Sequence, residues 1–532
     1  MTGIAEALAA HQAGDVGRAE HLYRQLIAAG RDLFYANHFL GVLHFQRGDL
    51  EEAKDLIGRA LKIDPEDDNA HHHLGMVLST LKQHEDALSS FEQAVALNPN
   101  NPKAHKNCGV ALLSLNRYGE ALASFDAAIA LDPTFAAPHY GRATVLRKQR
   151  LFDLAHASYD RTLALKPDNL AIVWYNRAVT LAFLNRHDEA VACYDKAIAA
   201  RPEFAEAYFG KGLVKLSLGD YAEGWRLYEW RWKKVDYAPR AQHFDRPPWR
   251  NDADLSGKTL LAYAEQGFGD TIQFVRYLEF FKDRNCRVML AVHTALAPLM
   301  RENGIEVIEC NDKILPVKTF PPFDHHCSLL DLPLAFGTTL DTIPASIPYL
   351  EAPRDEITAW GVLLGERTKP RIGLAWSGHP THKNDLGRSI RLETLLPLMV
   401  DRCEWFSLQK LVREYDRDAL INSPLRDVSK QLNDFADTAA LIYHLDVVIT
   451  VDTSIAHLAG ALGKPVWIML PFSADFRWLR DRDDSPWYPT AKLFRQTTDG
   501  AWAEVFERVL SELDGVLPGQ GRLTGTPPVN GR

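Results

Sequence analysis

The chain has 532 residues, more than a single hydrophobic core usually serves, so two or three domains are expected. Its 46% hydrophobic and 24% charged residues are those of a globular protein in water, and a net charge of −9 argues against broad nucleic-acid binding, because there is no basic excess to neutralise phosphates. Six cysteines (Cys108, Cys193, Cys286, Cys310, Cys327, Cys403) form no CxxC pair, which fits a reducing cytoplasm and speaks against a disulfide frame or a structural zinc.

The first twenty residues read as an amphipathic helix rather than a signal peptide, since Glu6 and Asp15 interrupt a short apolar run. No stretch approaches the roughly 18 apolar residues of a membrane span. A repeat then takes over. Pro65, Pro99, Pro133, Pro167 and Pro202 are spaced by 34, 34, 34 and 35 residues. In step with them recur small residues at Gly41, Gly75, Gly109, Ala143 and Ala178, and again at Ala53, Ala87, Ala121, Ala155 and Ala190. Four residues after the second set stands a bulky one: Ile57, Phe91, Phe125, Tyr159 or Tyr194. Small residues let two helices cross closely, and the bulky one fills the gap toward the next unit. A proline-closed period of about 34 predicts a helix–turn–helix solenoid. The pattern over 34–204 resembles the tetratricopeptide repeat family, with 1–33 and 205–238 as degenerate caps. His71-His72-His73 falls on a repeat helix, where successive side chains point in different directions, so no metal site is expected.

Residues 233–257 hold three prolines and no apolar period, and read as a linker whose core is 239–257. Strand–helix alternation follows. Strands are expected at Thr259–Ala264, Arg287–Val292 and Glu306–Glu309, with helices at Asp270–Lys282 and Ala295–Asn303. A second series places strands at Arg371–Trp376, Glu404–Leu408, Asp446–Val451 and Pro465–Leu470, and helices at Leu392–Asp401, Asp437–Leu445 and Ser454–Leu462. This alternation predicts two parallel-sheet, Rossmann-like units, 258–360 and 361–515, joined near 351–370 and followed by a Gly/Pro-rich disordered tail, 516–532.

In open parallel sheets ligands bind beyond the carboxyl ends of the strands. Three polar segments fall there. Asp452-Thr453-Ser454 begins a helix after a buried strand, with His457 one turn on; free amides at such a start hold a diphosphate, or the residues simply cap the helix. Gly269-Asp270 lies in the turn after the first strand, where Asp270 is either a base or a cap. The loop Trp376–Ile390 carries Lys383 and Arg388, and Gln409 ends the next strand. Asp324-His325-His326-Cys327 spells a membrane acyltransferase signature, but the zinc module and membrane helices of that family are missing, so it is set aside. Arg477, Trp478, Trp487 and Tyr488 read as core or domain-joint packing, with cover for a nucleotide base as the alternative.

The run DVVITVDTSIAHLAGALGKPVWIML resembles the nucleotide-sugar site of glycosyltransferase family 9, the bacterial heptosyltransferases, which have the GT-B fold and a D-T-G-x-x-H segment. Asp452, Thr453 and His457 match, and Ser454 replaces the glycine. Gly269 and Asp270 match the start of the family's GDxxxxxP, without the later proline. The resemblance covers about 258–510 and implies Asp270 as general base, with Arg388, Lys383, Gln409, Asp452, Thr453, Ser454 and His457 binding the donor, no metal, and the nucleotide-sugar as substrate rather than cofactor. Repeats followed by a GT-B region also resemble the layout of family 41 protein O-GlcNAc transferases, where an asparagine ladder holds the acceptor peptide. Only Asn107 and Asn176 occupy that ladder here, the other rungs being Phe39, His73, Gly141 and Gly210. The expected protein is a cytoplasmic, inverting glycosyltransferase whose repeats select a protein, peptide or glycan acceptor. The alternatives are an adaptor with a degenerate module and, last, a nucleotide-sugar epimerase.

Overall fold

The computed structural model describes residues 3–237, 244, 247–310, 320–382 and 384–516. Fourteen helices lead the chain: α1 Ile4–Gln12, α2 Val16–Ala28, α3 Leu33–Arg47, α4 Leu50–Ile63, α5 Asp68–Thr80, α6 His84–Leu97, α7 Pro102–Ser114, α8 Tyr118–Leu131, α9 Ala136–Lys148, α10 Phe152–Ala164, α11 Leu170–Phe183, α12 His187–Ala200, α13 Ala205–Ser217 and α14 Tyr221–Tyr228. They pair in sequence as the period requires. A Cβ added to Gly75 would lie 2.6 Å from the Phe91 ring, and one on Gly109 2.7 Å from Phe125, so the small-against-bulky rule is steric. Phe125 also fills the next unit, because a Cβ on Gly141 would sit 2.4 Å from it. The recurrent histidine of the first helix ties that helix to the turn before it. The Nε2 atoms of His71 and His105 each lie 2.9 Å from the carbonyl of the proline six residues before, Pro65 and Pro99.

Two compact units result. The first runs to Leu184 and includes Asp195–Pro202; the second comprises Asn185–Tyr194 and the chain from Glu203 onward. Helices α13 and α14 thus fold with the sheets. Their Leu216, Tyr221, Trp225 and Tyr228 share one core with sheet residues such as Leu260 and Ile468, and Trp487 Nε1 donates to the Tyr221 hydroxyl at 3.0 Å.

The second unit holds two wholly parallel sheets. In the first, β1 Thr259–Tyr263, β2 Arg287–His293, β3 Glu306–Cys310 and β4 His325–Ser328 lie in the order β3-β2-β1-β4. In the second, β5 Arg371–Ala375, β6 Glu404–Ser407, β7 Leu425–Arg426, β8 Val447–Val451, β9 Val466–Leu470 and β10 Ala491–Arg495 lie in the order β10-β9-β8-β5-β6-β7. That is the doubly wound order, with its switch point between β5 and β8. The helices used below are α15 Phe268–Phe274, α16 Arg354–Leu364, α17 Phe435–Tyr443 and α18 Ser454–Ala461.

Several expected elements differ in extent. The helix expected at Asp270–Lys282 starts at Phe268 and becomes 3₁₀ from Val275 to Arg284. That expected at Leu392–Asp401 stops at Leu395, because Pro397 sits in the following 3₁₀ turn. Helix α16 occupies the stretch read as a joint. In the stretch read as a linker, Trp249 is buried, donating its backbone N–H to the His326 carbonyl at 2.7 Å. The discounted His325–Ser328 stretch is strand β4, and most of the tail, 517–532, lies outside the described residues.

Candidate functional site at the carboxyl ends of the strands

The site is built from the carboxyl ends of β1, β5, β8 and β9. Asp270 is the third residue of α15, and its Oδ2 accepts the backbone N–H of Gly267 at 2.9 Å. Its Oδ1 is paired with Arg477 Nη2. Arg477 comes from the other half, after β9, where its Nη1 donates to Asp475 Oδ1 at 2.7 Å and its Nε to Gln273 Oε1 at 2.7 Å. Burial raises the pKa of Asp270, and the Arg477 guanidinium opposes that rise.

His457 stands on α18 beside this pair. A Cβ on Gly269 would lie 2.7 Å from its Cδ2, so only glycine lets the first turn of one half touch the ring of the other. Its Nδ1 is 2.9 Å from the Tyr488 hydroxyl, and Trp478 stacks on it with centroids 5.3 Å apart. Burial, with Arg477 nearby, holds its pKa well below the usual value, so the ring is neutral.

Thr453 caps α18, its Oγ1 accepting the Ile455 N–H at 3.3 Å, and Ser454 is the first helical residue. Burial and the Asp475 carboxylate push the Asp452 pKa up to about 6. Arg388 lies flat against Gly378, where a Cβ would fall 2.4 Å from Nη2. Its Nη1 donates to the Asp452 carbonyl at 2.8 Å, its Nε is buried without a hydrogen-bond partner, and its charge opposes the rise in the pKa of the nearby Asp452 carboxyl. The other arginines of this region are paired: Arg477 as above, and Arg413 with Asp385 at 2.5 Å.

Asp270, Arg388, Asp452, Thr453, Ser454 and His457 therefore lie near one another beyond the carboxyl ends of the strands. Gln409 does not present itself to a ligand. Its Oε1 accepts from Trp376 and Ser377 N–H at 3.3 and 3.2 Å, and its Nε2 donates to Ser377 and Leu411 carbonyls at 3.1 Å, which uses its whole capacity. Lys383 lies outside the described residues. In the first unit, Asn107 Nδ2 is 2.7 Å from His72 Nε2, and Asn176 Nδ2 donates to Tyr140 and Ile172 at 3.0 Å. Both amides are committed to neighbouring helices or their own. Sequence reasoning passed over Asp475 and read Arg477 as packing or as cover for a nucleotide base; their place just after β9, beyond a strand's carboxyl end, was the available signal. Trp478, Trp487 and Tyr488 are wholly buried. No group of three His, Cys, Asp or Glu that could hold a metal occurs among the described residues, and none of their helices is long and apolar enough to cross a membrane.

Paired helices followed by two parallel sheets define a repeat array joined to an α/β region consistent with the GT-B architecture. The chain carries tetratricopeptide repeats, matched at 32–100, 74–134 and 171–204, and a segment of glycosyltransferase family 9 (heptosyltransferase), matched at 431–469. That last segment spans α17, β8, α18 and β9 and contains Asp452, Thr453, Ser454 and His457. Protein FlbA of Caulobacter vibrioides is 25% identical over 352 residues, 58% of this chain and 55% of that protein, so the match spans about half of the relative. Among solved structures, Pseudomonas aeruginosa PilF is 22% identical (TM-score 0.35), over 39% of this chain and 96% of its own. PilW, a type IV pilus biogenesis factor, is 25% identical (TM-score 0.36), over 39% and 96%.

Proposed function

We propose that the α/β unit is an inverting, metal-independent glycosyltransferase that uses a nucleotide-sugar donor and an acceptor engaged by the repeats. The family 9 segment supports sugar transfer in general. The observation that carries the donor site is Arg388, whose buried Nε has no hydrogen-bond acceptor, at the switch point of the second sheet. A donor diphosphate supplies the missing acceptor, and the amides that open α18, with the hydroxyls of Thr453 and Ser454, add donors at the positive end of the helix. Asp270 takes the proton of the acceptor hydroxyl as that oxygen bonds to the anomeric carbon. The bond to the diphosphate oxygen breaks on the opposite face, and Arg388 and the helix start hold the leaving charge. Arg477 keeps Asp270 ionised against its burial.

The Asp270–Arg477 pair also favours a second reading, an adaptor with a silent module, because a base held by an arginine is less available. Calorimetric titration with nucleoside diphosphates, followed by hydrolysis of the matching nucleotide-sugar, separates the two. Binding with turnover supports the enzyme, binding without turnover the adaptor, and no binding overturns the donor site.

A further inference from the structure

The loop after β9 does more than present Arg477 to Asp270 and stack Trp478 on His457. Its next residues, Leu479, Arg480 and Arg482, line a crevice of about 270 Å³ together with Leu218, Gly219 and Leu340, and none of the residues proposed to bind the donor lines it. The turn between α13 and α14 closes one wall: a Cβ on Gly219, whose φ is +81°, would lie 2.7 Å from Leu340 Cδ1. The opposite wall is strained. Leu479 has φ 53° and ψ −157°, a combination that glycine fills almost alone, and Asp481 has φ 49°. Arg495 clamps both ends of this stretch, its Nη2 donating to the Trp478 carbonyl and its Nε to the Arg482 carbonyl at 2.8 Å. Strain of this kind persists only where the surroundings impose it, and it gathers in segments that hold ligands.

The lining joins two chemistries. Leu218 and Leu340 are 41% and 37% exposed, and with Leu479 they give the crevice an apolar side. Arg480 and Arg482 give it a basic end. Arg482 is spent on both oxygens of Asp484, at 2.5 and 2.7 Å. Arg480 is not. Its one ion contact among the described residues is with Asp481 at 4.0 Å, and the Asp481 side chain is 88% exposed, so water screens the pair. The guanidinium groups also crowd one another. Burial lowers the Arg495 pKa to about 10; Asp481 opposes that, and the charges of Arg482 and Arg480 add to it. An oxyanion relieves such crowding, and the planar fork of an arginine matches a carboxylate or phosphate with two parallel hydrogen bonds. The volume equals about nine waters at 30 Å³ each, which leaves room behind the anionic head for an apolar body against the leucines.

We propose that this crevice is a second ligand site, which takes a small amphipathic oxyanion: the carboxylate or phosphate head on Arg480, the apolar body on Leu218, Leu340 and Leu479. The proposal does not depend on the sugar-transfer reading. The test uses the full chain and four probes, n-hexyl phosphate, hexanoate, hexanol and inorganic phosphate, in calorimetric titrations. At least one of the two hexyl oxyanions is expected to bind about tenfold or more tightly than hexanol, and the tighter of them names the head. It is also expected to bind about tenfold or more tightly than inorganic phosphate, because the body is buried. Arg480→Gln and, separately, Leu340→Asp are each expected to lose that tenfold, while Lys282→Gln, an exposed cation elsewhere in the unit, binds as wild type. Unchanged thermal unfolding of each variant confirms the fold. Hexanol binding as tightly as both oxyanions, wild-type binding by Arg480→Gln, or no binding overturns the proposal. Displacement of the hexyl ligand by a nucleoside diphosphate also overturns it, since the probe would then occupy the Arg388 site. Nucleoside diphosphate affinity is expected to be the same in Arg480→Gln and wild type, so either site can fail alone.

Discussion

Arg388 is the side chain on which the proposed donor site turns. Arg388→Ala removes a charge-assisted contact worth about 1.5–3 kcal/mol, so nucleoside diphosphate affinity is expected to fall roughly 10- to 150-fold by calorimetry. An unchanged dissociation constant would reject the assignment. Asp270→Asn keeps an acceptor for the Gly267 N–H, so the fold should hold while transfer falls about 10²–10⁴-fold. Because burial raises the Asp270 pKa and Arg477 opposes the rise, the base form is lost as pH falls, and Arg477→Met should move that acid limb to higher pH. A pH–rate profile identical to wild type would mean that the ion pair serves only to join the halves. Asp452 gives a test that needs no activity. Its folded pKa of about 6 lies above the unfolded carboxylate value, so its favourable contribution is present at low pH and lost as pH rises through about 6. Asp452→Asn should therefore raise the melting temperature at pH 8 relative to wild type and change it little at pH 4.

At the scale of elements, packing decides which glycines are free. In α7, a Cβ on Gly109 would strike the Phe125 ring, and Gly109→Ala is expected to cost about 1–3 kcal/mol by overpacking. In α4, Gly58 has nothing within 4 Å, and Gly58→Ala is expected to stabilise by about 0.5–1 kcal/mol. Opposite signs in chemical denaturation would confirm the small-against-bulky rule read from the period; equal effects would refute it. The repeats and the central strands were legible because each writes a local pattern: a 34-residue beat, or a short run buried on both faces. β4 was not legible, because His325-His326-Cys327-Ser328 is polar by composition, and the partner that buries His326, the Phe244 ring at 4.0 Å, lies far off in sequence. The helix after Leu392 was overextended because an apolar periodicity was followed past Pro397.

For the whole molecule, the compact units set where the chain can be divided. Tyr221, Trp225 and Tyr228 of α14 are buried with sheet residues, so a fragment beginning at Asn185 should unfold in a cooperative transition. One beginning at Pro247 should bare the surface those aromatics cover and aggregate or melt at a lower temperature. Equal stability of the two fragments would show that α13 and α14 add nothing to the α/β core.

The amino-acid sequence by itself determined the repeat array, the two series of parallel strands and the strand-to-helix turn at Asp452–His457, because helix crossing, strand burial and capping each act over a few residues. Only the tertiary structure decided what those residues face. Asp270 meets Arg477 across 207 positions of chain. Gln409 is spent on the loop that it supports, Asn107 and Asn176 are bound to neighbouring helices, and Arg388 keeps a buried Nε without an acceptor. Partners of this kind are fixed by long-range packing, and a local pattern carries no record of them.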